Sequence, residues 1–144
     1  PLEPVIKYAG FMVDTTAQGY DSLGIVTITY TDGDGDLGLD STDTVEPYLY
    51  NYFFTFKEMK NGVLQPVELP DPAFNFNARI PILTPTGKNK NISGEIVRTL
   101  ELYQAWDALS SDTIGFEIYI MDRALHLSNI VESPLYMIRR PAGK

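Results

Sequence analysis

Between Asp32 and Asp43 the chain reads Asp-Gly-Asp-Gly-Asp-Leu-Gly-Leu-Asp-Ser-Thr-Asp, five carboxylates in twelve residues. Like charges this close repel one another unless solvent or a cation relieves them. Carboxylate oxygens at alternate positions are the ligands a hard divalent cation takes. In a twelve-residue calcium loop the ligands come from positions one, three, five, seven, nine and twelve. Counted from Asp32 these are Asp32, Asp34, Asp36, the Gly38 carbonyl, Asp40 and Asp43, with apolar Leu39 at position eight. The chemistry implied is structural calcium binding, with a Kd of about 10⁻⁴ to 10⁻³ M as in extracellular modules. Magnesium fits less well, since it prefers few carboxylates and several retained waters. The competing reading is a solvated acidic turn whose glycines serve positive φ angles.

A second segment can meet this one. Asp122-Arg123-Ala124-Leu125-His126-Leu127-Ser128-Asn129 joins the last two predicted strands. In a sandwich that loop lies at the same end as the loop after the second strand. Asp122 can then add a metal ligand, pair with Arg123, or cap its own turn. Other chemistry finds no support. His126 is the single histidine and no Gly-x-Ser-x-Gly elbow is present. The glycines of the acidic run alternate with carboxylates, which repel phosphate. No opposed carboxylate pair of glycosidase type stands out, so the chain is expected to be non-enzymatic.

The elements that must carry these loops are strands. Val5 to Val13 and Leu23 to Tyr30 alternate, the latter placing Val26, Ile28 and Tyr30 on one face. Tyr48 to Met59 is the third strand, with Tyr48, Tyr50, Tyr52, Phe54 and Phe56 sharing a face expected to be core, and Asn51, Thr55 and Lys57 facing solvent. Asn61-Gly62 is a hairpin turn into Val63 to Leu69. Short strands follow at Arg79 to Leu83 and at Glu95 to Tyr103, with Ile96, Leu100 and Leu102 inward and Arg98 placed at an end or edge. The helical stretch Leu102 to Leu109 is too short to be more than a turn between strands, and Trp106 is expected to plug the end opposite the acidic run. Ile114 to Met121 alternates throughout, and Ile130 to Arg139 is an edge strand interrupted by Pro134. Seven to eight such strands predict an all-β, immunoglobulin-like two-sheet β-sandwich over residues 1–144 as one domain.

Composition agrees. The chain has 144 residues, 12% aromatic, with a net charge of −8 and no cysteine. Aromatic richness favours strands. The acidic balance argues against nucleic acid, and the missing thiols exclude disulfides and zinc–sulfur sites. No apolar stretch reaches the ~20 residues of a membrane span. The first residue is proline, which reads either as a cloning boundary or as the scar of a removed signal or lipoprotein leader, with a lipid anchor upstream of Pro1.

Three resemblances follow from these residues. Asp32 to Asp43 resembles EF-hand-like and dockerin calcium loops in ligand spacing. Leu37 stands where their turn glycine belongs, and strands rather than helices flank it, which excludes the helical fold. Asp122 to Asn129 resembles a turn of bacterial immunoglobulin-like surface repeats, with His126 in place of Asn. Together with the start Pro1-Leu2-Glu3-Pro4-Val5-Ile6, the layout resembles secreted or lipid-anchored proteins of the Bacteroidetes type whose function is unassigned. That resemblance implies an immunoglobulin-like module on the surface or in the periplasm of a Gram-negative bacterium. The expected role is a calcium-stabilised, non-enzymatic support for adhesion or assembly, with an unknown protein or a glycan as partner. The alternatives are a carbohydrate-binding module using surface tyrosines, Tyr48 first, and a structural domain with an empty acidic loop.

Overall fold

The computed structural model describes residues 3–32, 37–39, 42, 45–69, 75–81 and 92–141. Among them are eight strands in two antiparallel sheets. The first sheet runs β1 (Val5–Thr15), β2 (Asp21–Asp32), β5 (Ile92–Leu100), with β2 central. The second runs β4 (Val63–Pro66), β3 (Tyr52–Lys60), β6 (Thr113–Ile120), β7 (Val131–Glu132), and β8 (Tyr136–Met137) also pairs with β6.

Period-2 patterning explains the two inner faces. Val26, Ile28 and Tyr30 of β2 meet Tyr52, Phe54 and Phe56 of β3 and Ile114, Phe116, Ile118 and Ile120 of β6 in one buried cluster. Fully burying each such side chain contributes about 1.5–3 kcal/mol. Phe11 of β1 crosses to Phe116 at 5.4 Å between ring centroids, tying the layers together. The Asn61-Gly62 turn has φ of 52° and 78°, and Lys60 pairs with Val63, so this is the two-residue hairpin the dipeptide predicts.

Several boundaries move. The third strand begins at Tyr52, and of its aromatic ladder Tyr52, Phe54 and Phe56 are buried while Tyr48 and Tyr50 are half-buried. Asn51, expected to face solvent, is fully buried. Its side chain donates to the Ile80 carbonyl at 3.0 Å and accepts from the Ile80 N–H at 2.5 Å, imitating a strand pair. In place of a strand from Arg79, the described residues show only isolated bridges at Ala78 and Pro81. β5 ends at Leu100, and Leu102 is buried from a seven-residue 3-10 helix, Leu102–Ala108, where only a turn was expected. The last strand breaks into β7 and β8 around Pro134. Two serines fill the gaps: the Ile120 N–H donates to Ser128 Oγ and the Phe116 N–H to Ser133 Oγ, both at 2.9 Å.

Candidate functional site

The acidic run leaves β2 from a buried residue. Asp32, paired in register with Ile92, is 0% exposed. Leu37 and Leu39 are buried on the far side of residues 33–36. The Leu39 N–H donates to the Ile80 carbonyl at 2.8 Å, and Leu39 forms a parallel bridge with Pro81. Gly38 between them has φ of +119°, a conformation that L side chains rarely adopt. This accounts for the Leu37/Gly38 order that departs from a calcium loop: the core takes the leucine, and the bend that follows takes the glycine. Asp34, Asp36, Asp40 and Asp43 lie outside the described residues. Among the described residues no three acidic or histidine side chains gather in a metal-binding group.

The β6–β7 connection sits at the same end. Asn129 Oδ1 accepts from the Ile6 N–H at 2.8 Å, and its amide donates to the Ile6 carbonyl at 2.9 Å. Ile6 is itself paired with Tyr30, two residues before Asp32. Asp122 is 1% exposed and is engaged within its own turn. Its Oδ1 accepts from the His126 N–H at 2.8 Å, and Oδ2 lies 3.0 Å from His126 Nδ1. Of the roles open to Asp122, the turn cap is the one these bonds make. Tyr48 joins the same turn, donating its hydroxyl to the Arg123 carbonyl at 3.1 Å, with the Arg123 guanidinium 6.0 Å from its ring centroid. Arg79 fastens the approach to β3 by donating to the Tyr48 and Leu49 carbonyls at 2.9 Å.

Two further buried carboxylates were not singled out in the sequence. Glu58 accepts from the Ser110 and Ser111 N–H groups at 2.7 and 3.0 Å. Asp21 accepts from the Arg139 N–H at 2.8 Å and from its guanidinium at 3.1 Å. The Phe54–Phe56–Glu58 parity carried the signal for Glu58, since it puts the carboxylate on the inner face. No local signal marks Asp21, whose partner is 118 residues away. Trp106 packs against the core beyond the start of β2 and donates to the Asp21 carbonyl at 3.1 Å, at the end opposite the acidic run.

Arg98 faces inward from β5, an edge strand among the described residues. It donates to the Phe76 carbonyl and stands 5.5 Å from the Tyr52 ring centroid. Burial pulls the guanidinium below its ordinary value, and no described carboxylate pairs with it. Burial also pushes the Tyr52 phenol up to about 12, and its hydroxyl has no hydrogen-bond partner among the described residues.

Comparison with protein-family models, characterised proteins and solved structures finds no match. Among the described residues no helix is long and apolar enough to cross a membrane.

Proposed function

We propose that the chain is a non-catalytic, immunoglobulin-like module of the cell surface or periplasm that supports adhesion or assembly, with calcium stiffening one end. The immunoglobulin-like assignment is supported by strand order. β1-β2-β5 facing β4-β3-β6-β7 matches strands A, B and E of such a fold facing C′, C, F and G. The non-catalytic reading is supported by the buried carboxylates. Asp21, Glu58 and Asp122 each accept a backbone N–H, whereas a catalytic acid needs oxygens directed at substrate.

One observation carries the calcium reading: the stretch holding Asp34 and Asp36 begins at buried Asp32 and is followed directly by buried Leu37. Both ends are anchored in the core, so a cation that binds the run's carboxylates is linked to folding and not merely to a solvated loop. Asp32, Asp34, Asp36, Asp40 and Asp43 would hold the ion, and buried Asp122 would add negative potential from the adjoining turn.

Thermal melts with calcium, magnesium and EDTA test this. At about 10 mM calcium and a Kd of about 1 mM, linkage raises stability by about 1.4 kcal/mol. The gain is expected to vanish when Asp34→Ala and Asp36→Ala are combined. An unchanged melt in calcium leaves a structural domain with an empty acidic loop.

A further inference from the structure

We infer that the seam between β5 and the Asn75–Asn77 segment is a binding site for a neutral saccharide unit. It shares no residue with the acidic run and goes beyond the reading of that run. A cavity of about 290 Å³ opens there, lined by Tyr50, Asn75, Asn77, Arg98, Glu101 and Gln104 among others. That volume falls just below the range of drug-sized pockets, about 300 to 1,000 Å³.

The lining is held in place by its own hydrogen bonds, each of which leaves polar capacity over. Asn77 Oδ1 accepts from the Phe54 N–H at 2.9 Å, leaving its amide N–H₂ to donate. Asn75 Oδ1 accepts from the Asn77 N–H at 2.9 Å, again leaving the amide donors. Gln104 Nε2 donates to Glu101 Oε2 at 2.7 Å, leaving Gln104 Oε1 and Glu101 Oε1 as acceptors. Arg98 donates one N–H to Phe76 and retains others. Donors and acceptors are thus both present on planar groups, the arrangement that vicinal hydroxyls satisfy, because each hydroxyl donates and accepts. Fixed side chains lose little rotamer entropy on binding. The half-buried Tyr50 adds an aromatic ring against which the apolar face of a sugar can pack.

Charge decides the ligand class. Arg98 and Glu101 line the same cavity, and hydrogen bonds from Tyr103 and Gln104 hold the Glu101 carboxyl below its usual range. The carboxylate repels an anion that Arg98 alone would attract, so a neutral hydroxylic ligand fits both.

The test is an amide-resolved NMR titration in EDTA with cellotetraose, maltotetraose, mannotetraose and chitotetraose. At least one is expected to shift Tyr50, the Asn75 side-chain amide and Gln104, with a Kd of about 1 mM or tighter. Tyr50→Ala and Gln104→Ala should each weaken that binding by about fivefold or more while leaving the melt unchanged. Silence of these residues toward all four sugars overturns the proposal. So does tighter binding of sulfate or glucuronate at the same residues, which would make the seam an anion site. Because EDTA is present throughout, failure of the calcium reading leaves this result unaffected.

Discussion

Tyr52 combines a fully buried ring with a hydroxyl that has no hydrogen-bond partner among the described residues. A buried, unsatisfied hydroxyl costs about 1–3 kcal/mol, so Tyr52→Phe is expected to leave stability unchanged or raise it by about 1 kcal/mol in urea denaturation. A loss would mean that the hydroxyl has a partner in solution. The same residue gives a pH dependence. The unfolded chain releases the phenol proton near pH 10, while burial holds it in the fold up to about 12. Rising pH therefore favours the unfolded state across that window, and stability falls by an amount of order 2 kcal/mol between about pH 10 and pH 12. Tyr8 is raised as well, by burial and by its hydrogen bond to Tyr136, and adds a fall of the same sign. Tyr52→Phe should shallow the alkaline slope without abolishing it; an unaltered slope refutes the assignment to Tyr52. At this scale the sequence was partly legible. Parity put Tyr52 in the core, but only the packed structure reveals that none of the described residues meets its hydroxyl.

At the scale of elements, β2 depends on a residue without a side chain. Gly24 pairs with Leu100, and a Cβ added to it would lie 2.7 Å from Phe11 Cε1 and 3.1 Å from Leu102 Cδ1. Phe11 is itself packed against Phe116 and Tyr136, so moving its ring aside would disturb both contacts. Gly24→Ala is expected to destabilise by about 1–3 kcal/mol in the same denaturation assay, the usual cost of overpacking. A neutral result would mean that Phe11 swings out, which near-ultraviolet circular dichroism would register. Alternation alone placed β2 and β6 correctly, because each carries one buried face with no competing turn signal. It failed where side chains imitate backbone. Asn51, Ser128 and Ser133 supply hydrogen bonds that strands normally take from one another, so a polar residue occupies a position that pattern reading gives to solvent or to a break.

Across the whole molecule, the two sheets are closed along one side by contacts between distant segments. Asn129 grips Ile6, the Tyr8 and Tyr136 hydroxyls meet, and Asp21 holds Arg139. The Arg139 side chain is 64% exposed, so its ion pair with Asp21 contributes little, and the bond from its backbone N–H dominates. Asp21→Ala is therefore expected to cost about 2–3 kcal/mol and to strip hydrogen-exchange protection from Arg139, whereas Arg139→Ala should cost less than about 1 kcal/mol. Equal losses from the two would show the guanidinium to be the main contributor.

The sequence by itself determined that the protein is built of strands, where its Asn61-Gly62 hairpin turns, and which stretch of chain concentrates its carboxylates. These follow from local rules, namely alternation, turn conformation and like-charge density. Tertiary structure alone decided what satisfies the buried carboxylates and that Asp21 is one of them. It turned Asp122 into the cap of its turn, placed Leu37 in the core ahead of Gly38, and brought Arg98 and Glu101 to one cavity with Asn75 and Asn77. The physical reason is that a hydrogen-bond partner is chosen by proximity in space: Arg139 lies 118 positions from Asp21, Ser110 52 from Glu58 and Phe76 22 from Arg98.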